Sequence, residues 1–141
     1  MSGFTNYLED KVMGHLFGGT AYTAPTTIYV GLFTATPSDA GGGTEVSGGG
    51  YERKSVAWTV TGSGTAQAVN TSAIEWDAAT ADWGTVTHAG IFDSDNTAAG
   101  NFNLLAQVQL TQSDFTTANP KTVNNGDVFK IDAGNLKVTL D

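Results

Sequence analysis

The chain contains no cysteine. Disulfides, thiol nucleophiles and cysteine-ligated zinc are therefore excluded. Cations are also scarce: six Lys plus Arg stand against fourteen Asp plus Glu, for a formal net charge of −8, and only 14% of residues are charged. Six dispersed cations cannot form a stripe that follows a phosphate backbone, so nucleic-acid binding is disfavoured. An acidic surface instead favours solubility and docking onto a basic partner face. There is no apolar run of the roughly 18 residues that a membrane helix needs, and no membrane span is expected. The first residues also lack a basic stretch followed by an apolar core and a small-residue cleavage site, so no secretory signal is expected.

Catalytic motifs are missing too. The pattern Gly-x-Ser-x-Gly of a nucleophile elbow is absent, and no glycine run leads into Gly-Lys-Ser or Gly-Lys-Thr. The two histidines, His15 and His88, lie far apart in the sequence without cysteines to join them, a poor basis for a metal site. Asp93-Ser-Asp-Asn-Thr97 opens like a calcium loop, but the glycine at the sixth position is missing and Leu104 stands where the closing glutamate belongs. A turn held by Asx hydrogen bonds is the reading to prefer. Carboxylates are numerous, yet no spacing singles out a glycosidase pair. Trp58, Trp76 and Trp83 could line a sugar cleft, although core or subunit-interface positions are commoner for tryptophans on alternating strands. No catalytic residue, metal ligand or cofactor is expected.

What is present is a chain of 141 residues, 40% of them apolar, enough for one domain with a core. Phe4 to Phe17 reads as a helix, with Phe4, Leu8, Val12 and Leu16 forming a stripe at spacing four. Thr5 or Asn6 can cap its start and Gly18-Gly19 its end. A helix this short is marginal alone in water, so it is expected to lie on the β domain or on a neighbouring subunit. Residues 1–19 are assigned to this helix and 20–141 to the β domain.

Two runs share a signature, Thr27-Ile-Tyr-Val-Gly-Leu-Phe-Thr34 and Thr87-His-Ala-Gly-Ile-Phe-Asp93. Each is apolar on both faces near its end, as in a central strand covered from both sides. Gly31 and Gly90 weaken such strands, so a large group should cross closely at each, such as a tryptophan or the N-terminal segment. Phe102 to Leu110 alternates, with Phe102, Leu104, Ala106, Val108 and Leu110 on one face. Residues 38–50, with six glycines, are expected to be an extended surface arm ordered mainly by a neighbour. About seven to nine short strands separated by turn signals predict a mainly β fold, an antiparallel sandwich or jelly-roll-like domain with one N-terminal α-helix.

The opening Phe-Thr-Asn-Tyr-Leu-Glu-Asp-Lys-Val-Met-Gly-His-Leu-Phe resembles the start of a family of small structural proteins of tailed bacteriophages and prophages, commonly labelled tail fibre proteins. The resemblance continues through Gly-Thr-Glu-Val-Ser-Gly-Gly-Gly-Tyr-Glu-Arg, Ala-Asp-Trp-Gly-Thr-Val-Thr-His-Ala-Gly-Ile-Phe-Asp and Pro-Lys-Thr-Val-Asn-Asn-Gly-Asp-Val-Phe. The stretch Gly100 to Asn119 is longer and more polar than the family pattern. The resemblance implies a non-enzymatic virion protein, assembled in the bacterial cytoplasm, whose partners are the major capsid protein or tail proteins and further copies of itself. The composition leans to a capsid cement or decoration subunit, because fibres usually carry repeats or heptads and none occurs. The alternative is a tail-fibre or tail-tip component that contacts the host. The expected protein contacts are Phe4, Leu8, Val12 and Leu16 on the helix and Glu45, Val46 and Tyr51 in or beside the arm.

Overall fold

The computed structural model describes residues 2–64 and 66–140. In chain order they form β1 (Ser2–Phe4), α1 (Asn6–Leu16), β2 (Ile28–Ala35), β3 (Thr44–Glu45), β4 (Lys54–Val56), β5 (Trp58–Thr61), β6 (Ala66–Asn70) and β7 (Ile74–Glu75). The series continues with β8 (Gly84–Val86), β9 (His88–Phe92), β10 (Leu104–Gln109), β11 (Lys121–Val123), β12 (Lys130–Ile131) and β13 (Lys137–Leu140). The fold is mainly β and antiparallel in every pairing, with one helix near the N-terminus.

The main sheet runs β1-β10-β9-β2-β3, with β4 also on β2. Its second layer is broken into the three-stranded sheet β13-β6-β5 and the ribbons β11-β8 and β12-β7. These are short pieces, because turns at Asn124–Gly126 and Ala133–Asn135 cut the C-terminal third into brief pairings. Between the layers lies one hydrophobic cluster. Val30, Leu32, Ala89, Ile91 and Ala106 project into it from the main sheet, and Trp76, Trp83, Val86, Val123, Phe129 and Leu136 meet them. Two indole N–H groups are satisfied within this packing, Trp76 by the Glu52 carbonyl at 2.8 Å and Trp83 by the Gly49 carbonyl at 2.9 Å. Asn70, 1% exposed, ties β6 to the 132–136 turn: its amide donates to the carbonyls of Ser72 and Asp132 and accepts from Leu136 N–H.

Three expectations change. The helix starts later: Phe4 is the last residue of β1, opposite Ala106, and packs on the core instead of extending the helical stripe. Thr5 is the N-cap, its hydroxyl accepting from Leu8 N–H. The alternation of 102–110 also fails. A bulge at Leu105 shifts the register, so Leu104 opposes Phe92 whereas Ala106 opposes Ile91. One extra residue moves everything before it to the opposite face. Phe102 and Leu104 thereby leave the core side on which Ala106 and Val108 remain. Thr5 secures the bulge, with its N–H donating to Leu105 O at 2.9 Å and its hydroxyl to Leu104 O.

The third change concerns the arm at 38–50, which folds onto its own chain instead of awaiting a neighbour. β3 pairs with β2, Val46 N–H donates to Leu32 O at 2.9 Å, and the Gly49 carbonyl accepts from both Trp83 and Thr80. The glycines are what allow this path. A Cβ at Gly49, whose φ is +59°, would lie 2.9 Å from the Trp83 indole nitrogen.

Candidate functional site

The two faces of the main sheet differ in chemistry. Opposite the core, Gly31 and Gly90 are cross-strand partners. Phe33 from β2 and Phe92 from β9 lie over this glycine floor, their rings stacked with centroids 5.9 Å apart. A Cβ on Gly90 would sit 2.5 Å from Phe33 and 2.9 Å from Phe92, and one on Gly31 would sit 2.6 Å from a Glu45 carboxylate oxygen. A large group does cross closely at both glycines, as their cost to the strands implied, but it is phenylalanine and the Tyr51–Glu45 pair rather than tryptophan.

Arg53 holds this face together. It is the chain's sole arginine, and its side chain is fully buried. The guanidinium lies 3.5 Å from the centroid of the Phe92 ring and 4.2 Å from that of Phe102. Nε and Nη2 donate to the two Glu45 oxygens at 2.8 and 2.7 Å, the fork geometry that suits a carboxylate. Nη1 donates to the carbonyls of Ser94 and Asn96. One cation thus ties the arm, the 93–97 turn and two aromatic rings to each other.

Tyr51 completes the network. Leu32 N–H falls between the pairings of β4 and β3 on β2 and donates to Tyr51 Oη at 2.8 Å, while that hydroxyl donates to Glu45 at 2.8 Å. Burial first, and then the Glu45 charge, push the phenol well above its usual range. Asp93 is likewise engaged internally, receiving Asn103 N–H and the Asn103 side-chain amide at 2.7 Å each. The Asx turn expected there is present, with Asn96 accepting from Ala98 N–H. Among the described residues no group of three metal-type side chains converges.

Above this floor opens a cleft of about 540 Å³. The start of α1, the arm at 39–45, Thr97, and the segment from Phe102 to Leu104 surround it. None of its lining residues is Lys, Arg or His.

The residues expected to make protein contacts are dispersed. Val46 is 5% exposed and belongs to the core, where its N–H bond to Leu32 places it. Glu45 and Tyr51 are engaged with Arg53 and Leu32, although Glu45 also lines the cleft. Leu8 and Val12 are half-buried, and Leu16 is 65% exposed. Beside Leu16 stand Met13, 57% exposed, and Phe17, 79% exposed, which sequence reasoning did not single out. Spacings of three and four put these three on one side of the helix end. Arg53, Phe33, Phe92 and Phe102 were missed as well. Their one legible signal was the single arginine, flanked by acidic and aromatic residues in a chain poor in cations.

No curated protein matches the chain. A family model does, over residues 3–139: that of the podophage GP4 fiber I protein gp80. That description fits the tail-fibre alternative better than a capsid-cement role. The match spans nearly the whole chain, and this protein belongs to the podophage fiber I family, a family of structural virion proteins.

Proposed function

We propose that this chain is a non-enzymatic subunit of a phage tail fibre, assembled in the host cytoplasm and docked on another virion protein through the C-terminal end of α1, with self-association contributing. The observation that carries the docking reading is the apolar trio Met13, Leu16 and Phe17, exposed on a helix that has no fully buried residue. Covering such side chains is favourable by roughly 1.5–3 kcal/mol each, and the chain's own core does not cover them. Leu8 and Val12 extend the same helix toward the sheet, so the contact can continue onto β1. Membership of a fibre family favours this reading over capsid cement.

The test is to produce particles carrying Leu16→Asp with Phe17→Asp and to blot purified virions for the protein. Both positions are exposed, so melting of the isolated domain should change little. Loss of incorporation with unchanged melting is the expected result. Wild-type incorporation of the double variant would overturn the docking surface.

A further inference from the structure

We propose that the free edge of β5 pairs with β5 of a second copy of this chain, antiparallel and about a twofold axis at Thr59. The pairing gives a surface to the self-association in the fibre reading and rests on that part of it alone. β5 ends the sheet β13-β6-β5, and no described strand lies on its other side. Natural proteins blunt such edges with lysine, proline, bulges or very short strands. Here β4, β11, β12 and β13 each carry a lysine, and β3 is two residues long. β5 is Trp-Thr-Val-Thr, four strand-forming residues with no charge, proline or register shift.

The backbone of this edge is self-complementary. Thr71 N–H donates to the Ala57 carbonyl at 2.9 Å, so Ala57, and then Thr59 and Thr61, are the residues bonded toward β6. By the antiparallel alternation, the N–H and C=O groups of Trp58 and Val60 point away from β6. Setting Trp58 of each copy opposite Val60 of the other closes four backbone hydrogen bonds. Thr59 then meets its own copy at the axis, in the pairing where side chains come closest.

The same register covers exposed apolar surface. Val60, Ala68 and Val138 are cross-strand neighbours on the face that Trp58 shares, and Leu140 follows Val138 on that face. Trp58 and Val138 pack on the core, whereas Val60 is 74% and Leu140 50% exposed. In the pair, Val60 lies against Trp58 of the second copy.

Charge selects a second copy as the occupant. Each chain carries −8, so two copies can approach only where neither presents carboxylates. Residues 55–74, a stretch that includes β5 and β6, contain no charged residue. A basic partner would be drawn to the acidic surfaces elsewhere.

The experiment is sedimentation equilibrium of the isolated full chain, with amide exchange and indole proton shifts followed over the same concentrations. A reversible dimer is expected, with a Kd between about 1 μM and 1 mM for so small a contact. As it forms, the Trp58 and Val60 amides should gain protection. The Trp58 indole N–H, buried without a partner among the described residues, should shift. Those of Trp76 and Trp83, bonded to the Glu52 and Gly49 carbonyls, should not. Thr59→Lys and Val60→Lys, at exposed positions, should each weaken the dimer roughly tenfold or more with little change in melting. Val60→Ile should dimerise as the wild type does. A monomer at every concentration up to about 1 mM, free exchange at Trp58 and Val60 within a dimer, or a dimer indifferent to Thr59→Lys would overturn the proposal. Each of those results leaves docking through the end of α1 standing. Loss of the dimer in the Leu16→Asp, Phe17→Asp variant would also overturn it, by moving the self-contact to the helix.

Discussion

The two sides of the main sheet show different ways to cover a surface. On the inner side, Val30, Leu32, Ala89, Ile91 and Ala106 are sealed by a second layer of aromatic and branched residues. On the outer side, strands of the same kind present Gly31 and Gly90 and are covered by two phenylalanines, one arginine and one carboxylate. Apart from the Trp76 and Trp83 indole hydrogen bonds, the inner side uses non-directional burial, which tolerates substitutions that keep volume. The outer side depends on one geometry, because a guanidinium must meet two rings, a carboxylate and two carbonyls together. An apolar seal closes space completely, whereas a polar clamp fixes the rims and leaves an opening between them.

The comparison can be broken from either side. Trp76→Ala, on the inner side, removes the largest fully buried side chain and its edge contact with Phe129 at 5.4 Å. A loss of about 3–5 kcal/mol is expected from denaturant melts. Arg53→Met should cost nearly as much, about 3 kcal/mol, because the Glu45 carboxylate loses its only ion partner among the described residues while its side chain stays 17% exposed. Adding Glu45→Gln to Arg53→Met should recover part of that loss, which no second change near Trp76 would do. Gly90→Ala follows, at about 1–3 kcal/mol, since its Cβ would press on the Phe33 and Phe92 rings.

The smallest effect is one of pH. His88 lies on the outer side and burial pulls its pKa below the ordinary 6.5. The folded state resists a proton that the unfolded chain accepts, so this contribution is complete above 6.5 and is lost as pH falls through that value toward the lower folded pKa. Melting temperatures should decline gently over that interval, and His88→Gln should flatten the decline. A steeper decline in the variant would contradict the assignment.

Much of the inner side was legible in the sequence. Both central strands are covered on both sides, and the two glycines marked close crossings. The outer side was mostly hidden, for a specific reason. Phe102 and Leu104 reach the cleft only through the bulge at Leu105, and alternation carries no sign of an inserted residue. The bulge in turn depends on Thr5, about 100 residues away in sequence, whose N–H and hydroxyl are satisfied at Leu105 and Leu104. The arm at 38–50 was misread because glycine composition signals freedom, whereas here positive φ lets the chain pass beneath Trp83. Exposure of Met13 and Phe17 was invisible to a stripe drawn from Phe4, which had been placed in the helix rather than the sheet.

The most direct test of the account is a reconstruction of the intact virion at a resolution that places side chains. The account expects this chain in the tail, with Met13, Leu16 and Phe17 covered by another virion protein. Density for the chain on the capsid lattice, or Met13, Leu16 and Phe17 left open to solvent, would contradict it.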